Sequence, residues 1–376
     1  MRRTGNLIQK IADTDNLLLA FYKAVKGKRK NSEAQHFQKN LEDNIAVLAA
    51  EILSGNAVVG KYEYFYIEDP KLRLICAASF RERVLHHAIM NICHPYFERN
   101  LIETSYATRP EKGIYKAIER AQKAMKRYRY VAKFDFRKYF DSIPHELLVK
   151  KLACMFKDRT LLQILEKIVA SYSKSDGKGI PIGNLTSQYF ANYYLSGMDH
   201  WIKETLKVPE YIRYMDDFLV FGDTYAEIEN YIVQIRRFSE EELHLFLKPV
   251  VISMSFEGVD FLGYRIFADK MMLTQRSKRR FVRKSRQYDD LLERGEWNEK
   301  EYYEHITPLL SYAMKGYSKG LRKRCLRHEL QAPTACCAAE AGTITRGTAA
   351  FRIGTTTAPV TGTTTTGSAL CSISLV

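Results

Sequence analysis

Three carboxylates stand beside short apolar segments in the middle of the chain. Asp135 ends one such segment, and Asp216 and Asp217 lie between two others, at residues 211–214 and 218–221. Carboxylates gathered from separate strands hold two Mg²⁺ in phosphoryl-transfer sites, where one ion activates an attacking hydroxyl and the other stabilises the leaving group. An isolated Asp–Asp pair is more typical of a plain hairpin turn, because its side chains satisfy local amides. The surrounding sequence has to decide between these two interpretations.

The spacing of apolar residues predicts the elements that would position these carboxylates. Residues 211–221 are expected to form a tight hairpin with the Asp pair at its tip, beside a strand over 128–135. Helical spacing predicts helices over 8–24, 34–53, 80–97, 113–128 and 144–156 and a mostly helical, basic segment over 277–327. Further strands are predicted over 62–70, 71–76 and 258–266. This order of elements predicts an α+β fold.

The charge of the chain favours a polyanionic partner. Its 376 residues hold 58 Lys and Arg against 43 Asp and Glu, a formal net charge of +15, and such an excess is typical of nucleic-acid binding. The sequence has no apolar run long enough to span a membrane and no apolar segment typical of a signal peptide, so we expect no membrane association. Its seven Cys contain no C-x-x-C pair, which disfavours a disulfide framework or a zinc site and favours the cytoplasm.

Five blocks resemble the motifs of reverse transcriptases. The residues YMDD at 214–217 are similar to the Y-x-D-D box, and 134–140 to the first metal-binding motif. The blocks at 73–81, 106–113 and 261–264 resemble the fingers motif that grips the triphosphate, the block that follows it and the primer-grip hairpin. They occur in the order that the family has. The resemblance implies an RNA-directed DNA polymerase with a right-hand fold of fingers, palm and thumb.

The same resemblance divides the chain into four parts. Residues 1–131 would form N-terminal helices and the fingers, 132–265 the palm with finger insertions, and 266–330 a basic helical thumb. Residues 331–376 are rich in Thr, Ala and Gly and almost free of charge, so they are expected to form a disordered, low-complexity tail.

The family's metal-binding roles fall on the three carboxylates. Asp135 and Asp216 would hold two Mg²⁺ ions, for which Mn²⁺ can substitute, and the carbonyl of Phe136 would assist them. Asp217 would lie alongside as a third catalytic carboxylate.

The resemblance also implies a nucleotide-binding set. Phe140 falls at the position of the steric gate that excludes a 2′-OH and selects dNTPs, although an ordinary core Phe also suits this position. Arg73 would contact the triphosphate as a permanent, forked cation, and Lys248 would face the leaving pyrophosphate. The other nucleotide-binding candidates are Lys71, Arg81, Gly183 and Gln188. The primer grip would consist of Phe261, Leu262, Gly263 and Tyr264.

Residues 179–188, GIPIGNLTSQ, distinguish between kinds of reverse transcriptase. Most bacterial relatives have Gln in place of Ile182 and Pro in place of Gln188. The substituted form resembles the enzymes of diversity-generating retroelements, which copy a template-repeat RNA with errors at adenines for retrohoming into a variable gene. Ile182, Gln188 and Arg73 are therefore the expected fidelity residues. A loss of ~2–3 kcal/mol of discrimination would raise misinsertion roughly 30- to 150-fold; a neutral variant of a packing loop is the alternative.

The partners implied by the resemblance are template RNA, cDNA and dNTPs, together with a small, basic, helical accessory variability protein that is expected to be a pentamer. A bacterial or phage-encoded cytoplasmic enzyme is expected. Two alternatives stay open at this point. One is a retron- or group II intron-type enzyme of ordinary fidelity, for which the residues Val-Thr-Gly at 360–362 are a literal match to a retron motif. The other is a non-catalytic nucleic-acid-binding derivative, which would have no physical need for carboxylates that face a polyanion.

The tail offers a separate hypothesis. Runs of Thr follow Gly354 and Gly362, and Gly-Thr-Thr-Thr codons shifted by one base become Asn codons when their third bases are adenines. Template repeats of diversity-generating retroelements encode such Asn runs, so the tail is interpreted as a template repeat in an alternate frame. An arbitrary Thr-rich linker is the alternative.

Overall fold

Residues 3–27, 31–68 and 72–325, which a computed structural model describes, alternate between helical layers and small antiparallel sheets. Lys71 and the predicted tail at 331–376 lie outside these residues. Four helices come first: α1 Ile8–Ala12, α2 Thr14–Val25, α3 Ser32–Lys39 and α4 Leu41–Ser54. A hairpin and two helices follow: β1 Tyr62–Glu68, β2 Leu72–Ala78, α5 Phe80–Arg99 and α6 Ile114–Arg127.

The middle of the chain contains the strands of a central sheet and the helices around it. Its elements are β3 Tyr130–Asp135, α7 Tyr139–Ser142, α8 His145–Met155, α9 Arg159–Ala170, α10 Leu185–Tyr194, α11 Ser196–His200, a π-helical turn Trp201–Thr205, β4 Glu210–Tyr214, β5 Asp217–Gly222, α12 Tyr225–Glu241 and β6 Val251–Met254. The last described part holds a 3₁₀ turn Ser255–Glu257, then β7 Val259–Phe261, β8 Tyr264–Ile266, β9 Met271–Leu273, α13 Gln275–Glu293, α14 Glu299–Lys315 and α15 Lys319–Cys325.

The central sheet has the strand order β4-β5-β3-β6, with antiparallel pairing throughout. Its register places Asp135 opposite Asp217 and Phe134 opposite Phe218. Because side chains alternate between the two faces of a strand, the carboxylates of Asp135 and Asp217 share one face at the end of the sheet. The predicted hairpin and neighbouring strand are therefore confirmed.

Both faces of this sheet are covered. Phe134 and Phe218 stack with ring centroids 4.7 Å apart and belong to the larger core, which includes residues of α2, α4, α5, α9 and α10. Val131 and Leu219 point to a second core, formed with α6, β7, β8, β9, α13 and α14. The sheet is thus held rigidly between two apolar layers, and only its end is free to present polar groups.

Two predicted helices are divided in the structure, so the prediction of continuous helices over 8–24 and 34–53 is wrong. Asp13 has an extended backbone, and its side chain accepts hydrogen bonds from the backbone N–H groups of Asp15 and Asn16. This cap begins α2 and ends α1. Asn40 similarly leaves the helical region, with φ −119° and ψ 49°, between α3 and α4. The side-chain bonds of Asp13 compete with continuation of the helix, whereas Asn40 makes no side-chain capping bond to α4 and interrupts the helix through its backbone conformation.

The segment 258–266, predicted as one strand, forms the hairpin of β7 and β8, so that prediction is also wrong. The chain reverses at Leu262 and Gly263, whose φ angles are 51° and 85°. A Cβ atom on Gly263 would lie 2.0 Å from the hydroxyl oxygen of Tyr312 in α14. Glycine is favoured here because it adopts the left-handed backbone at little cost and because a Cβ atom would overlap the Tyr312 hydroxyl.

The basic segment predicted to be mostly helical is confirmed as α13, α14 and α15 over the described residues. Tyr302 is buried in the second core, as expected of a core residue, whereas Tyr303 is exposed. Within the ranges given above, no helix combines the length and the apolar character that a transmembrane segment needs.

We predict that Gly263→Ala lowers the free energy of unfolding by about 1–3 kcal/mol, because the new methyl group overlaps the Tyr312 hydroxyl. Chemical denaturation measures this loss. Gly295→Ala is the matched control, since Gly295 also has a positive φ, of 71°, but nothing lies within 4 Å of its Cβ position. Equal losses in the two variants would show that backbone strain alone, and not the contact with Tyr312, requires glycine at 263.

Candidate active site

The three predicted catalytic carboxylates meet at one end of the central sheet. Asp135 is the last residue of β3, Asp217 is the first residue of β5, and Asp216 lies in the two-residue turn between β4 and β5. Met215, the other turn residue, has a left-handed backbone with φ 57°. Two-residue hairpin loops require such positive φ values, so the tightness of the turn brings the Asp pair next to Asp135.

Burial and mutual repulsion disfavour the ionised carboxylates. Burial raises the pKa of Asp216, and the nearby charge of Asp135 raises it further. Burial likewise raises the pKa of Asp217 to about 7, against the opposing effect of the Lys133 ammonium. Carboxylates that face one another in a partly dry site hold their charge only when cations compensate it. This end of the sheet is therefore built to receive positive charge.

Two lysines compensate part of this charge. Lys248 Nζ lies 2.5 Å from Asp135 Oδ2, and Lys133 Nζ lies 3.4 Å from Asp217 Oδ2. The backbone N–H of Lys248 also donates to the carbonyl of Asp135, at 2.8 Å. Lys133 reaches Asp217 because both side chains lie on the same face of paired strands. Lys248 thus lies beside Asp135, and its predicted contact with the leaving pyrophosphate stays a prediction. The sequence pattern did not single out Lys133.

The remaining carboxylate oxygens fit divalent cations. Asp135 Oδ1 and Asp217 Oδ1 are buried and have no hydrogen-bond partner among the described residues. In that part of the chain, no three His, Cys, Asp or Glu side chains form a complete metal cluster. Mg²⁺ does not need one, since it keeps several waters and binds through one or two carboxylates plus substrate phosphates. The unpartnered oxygens of Asp135 and Asp217 are therefore available to a divalent cation, and the Asp216 carboxylate lies in the adjoining turn.

Arg73 and Phe140 differ in their relation to the carboxylates. Arg73 is exposed on β2, and its positive charge acts to lower the pKa of Asp216, although burial has the larger and opposite effect. Phe140 is half-buried, with its ring edge-on to Tyr139, and its carbonyl accepts a hydrogen bond from the N–H of Ile180 at 2.9 Å. The charge of Arg73 thus reaches Asp216, whereas the role of Phe140 as a steric gate stays a prediction.

Arg81 has a different environment from that of Arg73. Its guanidinium lies 2.7 Å from the carboxylate of Glu51, in α4. Lys71, the other predicted contact for the triphosphate, lies outside the described residues. The structure therefore places one of these three predicted cations, Arg73, near the carboxylates.

The loop that contains Ile182 and Gly183 lies along β2. The carbonyl of Ile182 accepts a hydrogen bond from the N–H of Cys76 at 2.8 Å. A Cβ on Gly183, whose φ is 118°, would lie 3.0 Å from Ile75 Cγ2 and 3.2 Å from the Cys76 carbonyl oxygen. The positive φ and the close approach favour glycine at 183. They hold the loop of Ile182, one of the three predicted fidelity residues, against β2, the strand that also carries Arg73.

Gln188 lies in the first turns of α10, where its side-chain oxygen accepts from Thr108 Oγ1 at 3.5 Å. It is therefore linked to the loop before α6 and is only half-buried.

The predicted primer-grip residues connect the second core to the basic helices. Phe261 and Tyr264 are buried, and the Tyr264 hydroxyl donates to the backbone carbonyl of Tyr312 at 2.8 Å. The Gly263 carbonyl accepts from Ser277 Oγ, in α13, at 2.7 Å. Movement of the basic helices would therefore move this hairpin with them.

The basic helices carry a groove of about 810 Å³ along α13 and α15. Its cationic lining consists of Lys278, Arg279, Arg283, Arg286 and Arg294. Rows of such side chains neutralise phosphates along a nucleic-acid backbone.

A buried arginine beneath the Asp pair was not predicted from the sequence. Arg213 is fully buried and forms two hydrogen bonds with the Asp199 carboxylate, at 2.7 and 2.5 Å. It also donates to the backbone carbonyl of Met215 at 2.9 Å. The available signal was an arginine inside the apolar strand that leads into the Asp pair, since a charged residue at such a position needs a buried partner.

Comparison with known proteins supports the family resemblance of the sequence motifs. The profile of the family described as Reverse transcriptase (RNA-dependent DNA polymerase) matches residues 68–266. Protein YkfC of Escherichia coli (strain K12) is 26% identical over 276 residues, which cover 61% of this chain and 72% of YkfC. The group II intron-encoded protein LtrA of Lactococcus lactis subsp. cremoris is 23% identical over 139 residues, which cover 35% of this chain and 23% of LtrA.

Among solved structures, telomerase from Candida tropicalis in complex with a TWJ fragment of telomeric RNA has a TM-score of 0.44 at 11% identity, covering 67% of this chain and 52% of that one. The family match spans more than half of the chain and includes Asp135, Asp216 and Asp217. It confirms the predicted α+β, right-hand polymerase fold and the predicted class of enzyme. The chain therefore belongs to the reverse transcriptase (RNA-dependent DNA polymerase) family.

Proposed function

We propose that this chain is an RNA-dependent DNA polymerase whose catalytic residues are Asp135, Asp216 and Asp217. The observation that carries the proposal is the pairing of Asp135 with Asp217 next to the turn that holds Asp216, with two buried carboxylate oxygens left without partners. The reaction is the attack of a primer 3′-OH, or of an RNA 2′-OH if the template primes itself, on the α-phosphate of a dNTP.

In the proposed mechanism, Asp135 and Asp216, together with the Phe136 carbonyl, would hold two Mg²⁺ or two Mn²⁺. These ions would supply activation of the attacking hydroxyl and stabilisation of the leaving group. Asp217 pairs with Lys133 and keeps the turn in place. Lys248 pairs with Asp135 and would face the pyrophosphate.

The nucleotide would bind between β2 and this end of the sheet. Arg73 contacts the triphosphate, while the half-buried ring of Phe140 lies under the sugar and excludes a 2′-OH. The loop at Ile182 and Gly183 packs against the nascent base pair because it is fixed to β2 through Cys76. We extend the proposal to the division into fingers at 1–131, palm at 132–265 and thumb at 266–330, with the basic groove on the thumb tracking the template–primer duplex.

For the biological role, we propose error-prone copying of a template-repeat RNA by a diversity-generating retroelement. The sequence of the loop supports it, since Ile182 and Gln188 replace a polar and a rigid residue beside the nascent pair. An apolar side chain there enforces the shape of the pair less strictly. The accessory variability protein, the template RNA and a cytoplasmic location in a bacterial host are parts of the same proposal.

A group II intron-type polymerase of ordinary fidelity is the second candidate. The similarity to LtrA, a group II intron-encoded protein, favours it. The two candidates share the catalytic carboxylates and differ in the role of the loop at Ile182.

We predict that Asp216→Asn lowers the rate of primer extension on an RNA template by more than about 100-fold, because a metal ligand loses its charge. Quantified cDNA from an assay with Mg²⁺ and dNTPs measures this rate. Asp260→Asn is the matched control, as Asp260 is an exposed carboxylate on β7. Undiminished synthesis by Asp216→Asn would contradict the assigned role, and absence of cDNA from the wild-type chain with its cognate RNA would favour a non-catalytic binder.

We predict that the wild-type chain misincorporates mainly opposite adenine and that Ile182→Gln reduces these errors by roughly 10- to 100-fold, which corresponds to about 1.4–2.8 kcal/mol of restored discrimination. Sequencing of the cDNA made on an A-rich RNA template measures the error rate at each base. Val233→Gln, at an exposed position of α12, controls for the added amide. A wild-type error rate that is equally low at all four bases would reject the mutagenic role and favour the group II intron-type candidate.

A further inference from the structure

Arg213 and Asp199 form an ion pair that is completely removed from solvent. Both side chains have no exposed area, and the guanidinium approaches the carboxylate with two hydrogen bonds. The hydroxyl of Tyr211 donates to the same carboxylate at 2.7 Å. Replacing such a pair with apolar side chains is often neutral or stabilising, since burying two charges is costly. Stability alone therefore gives little reason for an ion pair at this place.

Two other hydrogen bonds of the Arg213 guanidinium indicate a role beyond stability. Arg213 Nη1 donates to the carbonyl of Met215 at 2.9 Å and to Asn192 Oδ1 at 2.8 Å. Met215 is the residue with the left-handed backbone, a conformation that costs an ordinary residue on the order of 1–3 kcal/mol. Its peptide group leads directly into Asp216. The guanidinium thus holds the one strained carbonyl in the turn that carries a catalytic carboxylate.

The position of Arg213 in the sheet separates it from the substrate. It pairs with Phe218 in β5, so its side chain lies on the face of the larger core. Asp135 and Asp217 lie on the opposite face. Arg213 cannot contact a nucleotide bound at the carboxylates without crossing the sheet, which excludes a direct catalytic role.

Further bonds connect this arginine to the neighbouring elements. Its backbone N–H donates to the Thr104 carbonyl at 3.0 Å, and its carbonyl accepts from the N–H of Tyr106 at 2.9 Å. Asn192, which shares the guanidinium, donates from its own side chain to the Ala107 carbonyl at 2.7 Å. The turn is therefore anchored to α10, which belongs to the larger core, and to the loop before α6, whose Tyr106 is buried in the second core.

We infer that Arg213 is a positioning residue for Asp216, which it orients for metal binding by holding the carbonyl of Met215. The inference rests on the proposed function, because it assigns to Asp216 the role of metal ligand. A ligand held in advance in its binding geometry binds its metal without first ordering the turn. When the anchor is lost, the Mg²⁺ requirement should rise, while the affinity for dNTP at saturating Mg²⁺ should change little.

The test uses the double variant Arg213→Met/Asp199→Asn, which removes both buried charges together and leaves Tyr211 an acceptor. We expect a folded protein whose half-saturating Mg²⁺ concentration in primer extension is about 10- to 100-fold higher, the usual cost of removing an outer partner of a metal ligand. The KM for dNTP at saturating Mg²⁺ should stay within about twofold of wild type. Hydrogen exchange of the metal-free protein should become faster at residues 214–217.

The control is Asn16→Leu, which also removes a buried side chain that donates to two backbone carbonyls, those of Ile11 and Ala88, at 2.9 and 3.1 Å. Asn16 lies in α2 and, among the described residues, has no hydrogen bond to the turn or to the loop before α6. This control should speed exchange near residues 11–16 and leave the Mg²⁺ requirement unchanged. A folded Arg213 variant with wild-type Mg²⁺ dependence and wild-type exchange at 214–217 would overturn the inference. Failure of the proposed function is distinguishable, since the wild-type chain would then make no cDNA while the exchange difference would persist.

Discussion

Burial and repulsion disfavour charge on the carboxylates at the end of the central sheet, and the elements around them offset that cost. Burial raises the pKa of Asp216 and of Asp217, and the nearby charge of Asp135 raises both further. The fold resists this repulsion from two sides. Lys133 and Lys248 meet two of the carboxylates directly, and two apolar cores fix the strands so that the carboxylates cannot separate.

The central sheet separates the residues that can reach a substrate from the buried residues that hold them in place. Polar groups that can reach a substrate lie on the face of Asp135, whereas the buried Arg213–Asp199 pair lies on the other face. The β1–β2 hairpin is connected to the loop of Ile182 by the hydrogen bond between the Cys76 N–H and the Ile182 carbonyl. Consequently the surface proposed to shape the nascent pair, the turn that carries Asp216 and the core beneath them belong to one connected framework.

Local chemistry explains which features could be predicted from the sequence. The strands around Asp135 and the Asp pair were predictable because apolar alternation and a tight turn are short-range patterns. The family was predictable because the sequence motifs occur in the family's order. The contacts of Lys133 and Arg213 were not predictable, because each residue pairs with a partner in another element. Lys133 pairs with Asp217 on the neighbouring strand, and Arg213 pairs with Asp199 on a preceding helix. The break at Asp13 was missed because side-chain capping interrupts an otherwise regular apolar period. The break at Asn40 was missed because it lies in the backbone conformation of one residue, whose side chain makes no capping bond.

Two divalent ions bound at this end of the sheet would be visible by anomalous diffraction. The crystals would be grown with Mn²⁺, an RNA template with a DNA primer, and a non-hydrolysable dNTP analogue. We expect two anomalous peaks at Asp135 and Asp216, one of them next to the Phe136 carbonyl, with Lys248 withdrawn from Asp135. A bound nucleotide with no anomalous peak at these carboxylates would show that they do not hold the ions.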